Sequence, residues 1–254
     1  MSIKTLERCP ICTGNFAQPY VKKDGYKFLK CTCGYIFCHP RPTQAELDKC
    51  YGVGEASESS QNIPSNFYPK ASSRGRRAFF NAIKLLPYVW GKRVMDLGCG
   101  GGFVVGSMKT VGAREAVGVD INPSSIGYAS SQYPKCKFHC GEFGDFSNRK
   151  LGRFDFIYSS EVIEHVVDVE AYMQFLVDMT EPFAKVFITT PDIASNQVPK
   201  DVTSWDVFSP PLHIQFFTQA TLTQMFERYG FKVIKRTTDR GGAGLKMLFI
   251  KLKS

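Results

Sequence analysis

Two carboxylates and an imidazole fall within five residues of this chain, at Glu161, Glu164 and His165. Spacings of three and four residues share one face of a helix, so the three groups are predicted to converge on a helical face. Mixed oxygen and nitrogen ligands suit Mg²⁺, Mn²⁺ or Fe²⁺ better than a structural Zn²⁺, and His213 could add a fourth ligand from a distant loop. Two other interpretations stay open: His165 as a general base without metal, and a structural role for the cluster.

Four of the nine cysteines form two close pairs near the N-terminus, with eighteen residues between the pairs. This arrangement is typical of a zinc ribbon, in which the metal supplies the stability that a small apolar core lacks. The second pair is one residue shorter than the usual spacing, so Cys38 could replace one of its members, and His39 is a weaker candidate. Reduced, buried thiols are the alternative. The predicted zinc ligands are Cys9, Cys12, Cys31 and Cys33.

A glycine-rich turn follows the apolar stretch 93–97 and precedes a helix-like segment. Glycines allow a tight turn and the close approach of a ligand, which then faces the N-terminus of the helix. Asp120 ends the next strand, where a carboxylate can accept both hydroxyls of a ribose. Glu142 could accept a hydrogen bond from an adenine amino group while Phe143 packs on the ring. The residues predicted to bind this nucleotide-like cofactor are Asp96, Gly98, Cys99, Gly100, Gly102, Asp120, Ile121, Glu142, Phe143 and Ser159.

Over about residues 75–254 the chain resembles the class I S-adenosylmethionine-dependent methyltransferases. The resemblance implies that Asp96 lies near the methionine moiety, that Asp120 binds ribose and that Glu142 contacts adenine. A nicotinamide dehydrogenase is the rival interpretation of a glycine-rich turn, and the acid at the end of the strand disfavours it. A Rossmann-like domain without catalytic activity, recruited to a partner through the ribbon, is the remaining alternative.

The Glu-x-x-Glu-His motif with a later histidine resembles one methyltransferase subgroup in particular. That subgroup includes the small-RNA 2′-O-methyltransferases and the ubiquinone-pathway O-methyltransferases, in which a divalent ion holds the acceptor hydroxyls. The stretch Pro-Pro-Leu-His at 210–213 and the cysteine arrangement also resemble sugar and glycan methyltransferases. The resemblance therefore implies O-methylation, with Glu161, Glu164, His165 and His213 as catalytic residues. A saccharide or nucleotide-sugar is the first expectation for the acceptor, and RNA is the alternative.

Strand-like and helix-like segments alternate from residue 93 to the C-terminus, which predicts an α/β fold. We expect a Rossmann-like, seven-stranded, mostly parallel sheet with helices on both faces, preceded by the small ribbon. The last two strands have no helix between them, so one is predicted to be antiparallel. The predicted domains are the ribbon (1–42), a linker or lid (43–72) and the methyltransferase domain (73–254). A loop at 192–211 is expected to shape the acceptor pocket.

Composition places limits on the function. Hydrophobic residues make up 43% of the 254 and charged residues 22%, which excludes a disordered chain. No apolar run is long enough to span a bilayer, no membrane-facing amphipathic helix is evident and no secretion signal opens the chain, so a cytoplasmic protein is expected. Residues 1–90 hold 13 Lys or Arg against 6 Asp or Glu. This bias favours an anionic or polar small-molecule acceptor, or less readily a nucleic acid.

Overall fold

The computed structural model describes residues 8–14, 18–51, 70–148, 151–238 and 242–253. Eleven strands and eight α-helices lie in these ranges. The strands are β1 (Gln18–Lys23), β2 (Tyr26–Lys30), β3 (Ile36–Cys38), β4 (Arg93–Leu97), β5 (Glu115–Asp120), β6 (Lys137–Cys140), β7 (Phe154–Ser160), β8 (Thr180–Pro191), β9 (Gln215–Phe216), β10 (Phe231–Thr238) and β11 (Gly244–Lys251). The helices are α1 (Gln44–Tyr51), α2 (Ala71–Lys84), α3 (Leu86–Val89), α4 (Phe103–Thr110), α5 (Pro123–Gln132), α6 (Phe143–Asn148), α7 (Val169–Met179) and α8 (Gln219–Arg228).

The main sheet has seven strands in the order β10-β11-β8-β7-β4-β5-β6. The five strands from β6 to β8 run parallel, and β11 pairs antiparallel with both β8 and β10. The predicted fold class and the antiparallel strand near the C-terminus are therefore confirmed. Strand β4 is almost completely buried along its length, as expected for a central parallel strand covered on both faces.

Local sequence signals set where the helices begin. The Asn122 side chain accepts a hydrogen bond from the Ser125 N–H at the start of α5, and Pro123 occupies the first helical position. Asp168 caps α7 in the same way. Because these signals depend only on neighbouring residues, they can be read directly from the sequence.

A second, antiparallel sheet has the order β1-β2-β3-β9. Its first three strands belong to the N-terminal region, and β9 comes from the chain that follows His213. Ile36 pairs with Phe216 and Phe37 with Gln215. The ribbon therefore shares a sheet with the methyltransferase region, a contact that the sequence does not reveal.

Two expectations about local structure need correction. The segment carrying Glu161, Glu164 and His165 is not an α-helix: Glu161 has a left-handed backbone with φ of 55°, and only 163–165 form a short 3₁₀ turn. Their convergence thus depends on tertiary contacts, not on helical spacing. The predicted linker 43–72 contains helix α1, and its residues 52–69 lie outside the described residues.

The start of α1 carries a capping box that the sequence interpretation missed. The Thr43 hydroxyl accepts a hydrogen bond from the Glu46 N–H at 3.3 Å, and the Glu46 carboxylate accepts one from the Thr43 N–H at 2.7 Å.

Within the ranges that the structure describes, no helix combines the length and the apolar character needed to cross a bilayer.

Candidate active site

A cavity of 610 Å³ opens at the carboxyl ends of β4, β5 and β6. This is the edge of an open parallel sheet at which ligands bind. Five of the ten predicted cofactor residues line it. These five are Gly98, Asp120, Ile121, Glu142 and Phe143.

Position 98 has space only for a glycine. Its φ is 76°, and a Cβ atom built there would lie 2.3 Å from Cγ2 of Val162. Any side chain would therefore collide with a wall of the cavity. The close approach of chain and ligand predicted for this turn is consistent with that geometry.

Asp120 is held by its own backbone surroundings. Oδ2 accepts a hydrogen bond from the Gly100 N–H at 2.8 Å, and Oδ1 accepts one from the Asn122 N–H at 2.9 Å. Each carboxylate oxygen has a second lone pair, so both can still accept a ligand hydroxyl. Burial raises the pKa of Asp120, and the backbone N–H groups oppose that shift.

The other five predicted cofactor residues do not line this cavity. Asp96 is 3% exposed, and burial followed by the neighbouring Asp120 raises its pKa well above the usual value. Ser159 is buried and accepts a hydrogen bond from the Tyr172 hydroxyl at 3.0 Å. The five are Asp96, Cys99, Gly100, Gly102 and Ser159.

A second cavity, of 780 Å³, lies between α2, α3 and the strands β7, β8, β10 and β11. Trp205 and Val207, from the loop 192–211, line this cavity. Four cationic side chains surround it, and among the described residues no carboxylate forms a salt bridge with Arg77, Lys84 or Lys235. The fourth cation is Lys246.

Glu161 lines both cavities. Its Oε1 accepts a hydrogen bond from the Thr189 hydroxyl at 2.7 Å, which fixes the carboxylate where the two spaces meet. Two molecules bound in the two cavities would therefore approach each other at this residue.

Beside Glu161, the structure brings together one carboxylate and two imidazoles. One ligand atom from each of Glu164, His165 and His213 lies within 4.8 Å of the others. The His165 and His213 rings are 4.6 Å apart between centroids. Glu161 belongs to the predicted set of four but lies outside this group of three.

Hydrogen bonds to the backbone fix the protonation of both imidazoles. Nδ1 of His165 lies 2.9 Å from the Leu212 carbonyl oxygen, and Nδ1 of His213 lies 2.5 Å from the Val207 carbonyl oxygen. A carbonyl only accepts, so each Nδ1 carries the proton and each Nε2 presents its lone pair. Burial, and then His213, lower the pKa of His165 to about 4, and burial also lowers the pKa of His213. Both rings are therefore neutral near pH 7.

The Glu164 side chain is completely buried. Oε2 accepts a hydrogen bond from the Thr190 hydroxyl at 2.9 Å, whereas Oε1 has no hydrogen-bond partner among the described residues. Burial, and then the charge of Glu161, raise the pKa of Glu164 well above its usual value. An orphaned carboxylate oxygen beside two imidazole lone pairs fits a divalent cation, because a buried polar atom without a partner is costly.

The four predicted zinc ligands converge. The sulfurs of Cys9 and Cys33 are 3.8 Å apart and those of Cys12 and Cys31 are 3.6 Å apart. Tetrahedral zinc with bonds of about 2.3 Å requires sulfur separations of about 3.8 Å. Burial acts to raise the pKa of the Cys31 thiol, but hydrogen bonds from the Cys33 backbone and the other thiols lower it to about 7.

The two alternative ligands, Cys38 and His39, lie outside the cluster of four cysteines. Cys38 lies in β3 and its thiol hydrogen-bonds to the Pro40 carbonyl, and His39 is likewise outside the cluster. The expected set of four is the one whose geometry fits a metal.

Several residues of these sites escaped the sequence interpretation. Leu47 of α1 and Val162 line the first cavity, and Lys235 and Lys246 line the second. The capping box at Thr43 could have revealed α1. Nothing local to the sequence indicates which cavity a residue of α1 or of the last two strands reaches.

The family model for the methyltransferase domain matches residues 71–236. Among curated proteins, the chain is 32% identical over 104 residues to the ubiquinone biosynthesis O-methyltransferase of Aromatoleum aromaticum, covering 39% of this chain and 44% of that protein. The human mitochondrial ubiquinone biosynthesis O-methyltransferase is 26% identical over 180 residues, covering 60% and 46%. The chain thus spans less than half the length of these relatives.

Two solved structures show the same fold. The magnesium protoporphyrin IX methyltransferase of Synechocystis, solved with bound SAH, has a TM-score of 0.56 at 14% identity, covering 71% of this chain and 84% of that one. An S-adenosylmethionine-dependent methyltransferase from Mesorhizobium loti has a TM-score of 0.54 at 19% identity, covering 68% and 98%.

Proposed function

Because this chain belongs to the methyltransferase domain family, we propose that it transfers the methyl group of S-adenosylmethionine to a hydroxyl oxygen. The observation that carries this proposal is that Glu161 lines both cavities. A methyl donor in the first cavity and an acceptor in the second would meet at that residue. The printed names of the curated relatives, which are O-methyltransferases, support oxygen as the acceptor atom.

The first cavity is the proposed cofactor site. Asp120 would accept the ribose hydroxyls, and Glu142 would accept from adenine with Phe143 against its ring. Gly98 would let the cofactor approach the backbone. Asp96 and Ser159 are buried and do not line this cavity, so they would support the cofactor site through the residues that do.

Glu164, His165 and His213 would hold a divalent cation, with Glu161 beside it. When bound, such an ion would lower the pKa of an acceptor hydroxyl and fix its orientation. The chain's own contribution is positional: Thr190 orients the Glu164 carboxylate, and backbone carbonyls orient both imidazoles. Methyl transfer is an in-line displacement, so this positioning carries much of the rate.

We propose that the chain is divided into the ribbon (1–42), a linker or lid (43–72) and the methyltransferase domain (73–254). The Cys₄ cluster would hold a structural zinc in the ribbon. Leu47, in the proposed lid, already forms part of the cofactor cavity wall. We assign the enzyme to the cytoplasm.

For the acceptor we propose an anionic, hydroxyl-bearing molecule such as a saccharide or nucleotide-linked sugar. The observation in favour is the set of cations around the second cavity, whose volume of 780 Å³ suits a molecule of that size. The names of the relatives favour a phenolic acceptor instead, as in ubiquinone biosynthesis. A terminal RNA ribose is the third candidate, since its two vicinal hydroxyls would suit a metal-held site.

The test combines binding and turnover. S-adenosylhomocysteine is titrated calorimetrically into metal-stripped protein with and without Mn²⁺, and methyl transfer is then measured with a nucleotide-sugar, a catechol and a short RNA. We expect the wild type to bind S-adenosylhomocysteine and to turn over. Glu164→Gln and His165→Ala should each lower the turnover rate by about a hundredfold. The control is Glu170→Gln on the exposed surface of α7. Absence of S-adenosylhomocysteine binding would favour a non-catalytic module, and full turnover by both variants would refute the proposed centre.

A further inference from the structure

Helix α2 and the turn after it form a strongly cationic part of the chain. Between Lys70 and Met95 the sequence contains seven Lys or Arg residues and no Asp or Glu. The next acid, Asp96, is buried. Lys92 and Arg93 form salt bridges with Asp155 and Glu115, which leaves five cations, from Lys70 to Lys84, without a carboxylate of the same stretch beside them.

The same stretch exposes large apolar side chains. Five of the nine large hydrophobic residues that are exposed within the described ranges lie within twelve positions of one another. Phe79, Phe80 and Ile83 lie in α2 at spacings of three and four residues, which share one helical face, and two more follow in α3 and directly after it. We call this surface the α2 face; its members are Phe79 (39% exposed), Phe80 (62%), Ile83 (44%), Leu86 (36%) and Trp90 (71%).

Helix α2 packs on the protein through its small residues. Its buried side chains are Ala78 and Ala82, while the phenylalanines and Ile83 point away from the core. From the sequence we expected no membrane-facing amphipathic helix. The structure reverses that expectation: alanines make the core contact and the large side chains are left outside.

We propose that the α2 face docks on the surface of an anionic lipid bilayer. Trp and Phe side chains partition into the interfacial layer, and Arg and Lys beside them attract acidic headgroups. Charge complementarity favours this occupant, since a second copy would bring the same five cations against those of the first. A nucleic acid would match the charge but would leave the apolar side chains without a partner.

Docking in this orientation would place the second cavity beside the headgroups. Asn81, Lys84 and Tyr88 belong to α2 and α3 and line that cavity. An acceptor held in the membrane could then enter without crossing bulk water. The docking itself does not depend on the proposed methyl transfer, because vesicle binding can be measured without turnover.

The experiment is cosedimentation of the full chain with vesicles of phosphatidylcholine alone or mixed with phosphatidylglycerol. We expect binding only to the phosphatidylglycerol vesicles, weakened by added salt. Phe80→Ser, Trp90→Ser and Arg76→Glu should each lower the apparent affinity about tenfold. The matched controls are Phe183→Ser, which alters a phenylalanine that is 55% exposed on β8, and Lys135→Glu, and both should bind as the wild type does.

The circular dichroism spectrum and the thermal unfolding midpoint should be unchanged in all five variants, which shows that they fold. Failure of the wild type to bind phosphatidylglycerol vesicles would overturn the proposal, as would equal losses in the control variants. A wild-type dimer that Phe80→Ser converts to a monomer, without vesicle binding, would assign the face to a subunit interface and would also overturn it.

Discussion

The Gln215 side-chain amide donates hydrogen bonds to two carbonyl oxygens on either side of the Glu164–His165 pair. The acceptors are Ile163, at 2.5 Å, and Val166, at 2.8 Å. Gln215 is completely buried. Because the short turn between these carbonyls carries the candidate metal ligands, Gln215 holds the backbone on which they are mounted.

Gln215 is held in turn by the ribbon. Its amide oxygen accepts hydrogen bonds from the Tyr35 hydroxyl and, at 2.8 Å, from the Arg41 guanidinium. Arg41 also donates to the Ile214 carbonyl at 3.0 Å. The N-terminal region is therefore part of the scaffold of the candidate active site.

We predict that Gln215→Glu lowers kcat about 10- to 100-fold, because a carboxylate cannot donate to the two carbonyls of the turn. Mn²⁺ affinity should fall in parallel, whereas S-adenosylhomocysteine affinity should stay within about threefold of the wild type. Calorimetry and steady-state kinetics measure these quantities separately. Gln224→Glu, on the exposed side of α8, is the matched control. If S-adenosylhomocysteine binding disappears together with turnover, Gln215 supports the whole fold instead of the turn.

Gly98→Ala should abolish S-adenosylhomocysteine binding and lower the free energy of unfolding by about 2–5 kcal/mol. The new Cβ would lie 2.3 Å from Val162, at a φ of 76° that side chains rarely adopt. Gly75→Ala in α2 is the control, since no atom lies within 4 Å of its Cβ position. That variant should be more stable by about 1 kcal/mol. Thermal unfolding and calorimetry would distinguish the two, and normal binding by Gly98→Ala would contradict the assigned cavity.

Elemental analysis of the purified chain should find about one zinc ion per molecule, and Cys12→Ser should lose it. The reason is that the four sulfurs are already spaced for tetrahedral coordination. Cys50→Ser, which alters an exposed cysteine outside the cluster, should retain the metal. Because the ribbon supports Gln215, chelation should also reduce turnover. A stable, fully active zinc-free protein would show that the thiols need no metal.

The ion pairs of Glu115 should make stability depend on pH in acid. Hydrogen bonds from Arg93 and then Lys137 lower the pKa of Glu115 from 4.5 to about 2. The carboxylate therefore stabilises the fold above pH 4.5, and this contribution is lost as the pH falls through about 2. Glu115→Gln should be less stable than the wild type at pH 6, with the difference shrinking below pH 4. Denaturant titrations across this range check it, with the exposed Glu227→Gln as control; a constant difference would refute the assignment.

Much of the fold was readable because the signals are local. The apolar run at 93–97 and the cap at Asn122 each act on adjacent residues, so strand β4 and the start of helix α5 follow from the residues at those positions. The Cys₄ group was likewise readable, since metal-ligand spacing is a property of short segments.

What the sequence by itself determined is the family, the order of strands and helices, and the residue types able to bind a cofactor and metals. Only the tertiary structure decided that Glu161 joins two cavities, that Gln215 connects the N-terminal region to the turn that carries Glu164 and His165, and that α2 buries its alanines and exposes its phenylalanines. Each of these depends on pairings between segments far apart in the chain, such as Phe37 with Gln215. Periodicity and spacing report which face of an element is apolar, but only packing decides which neighbour, if any, covers it.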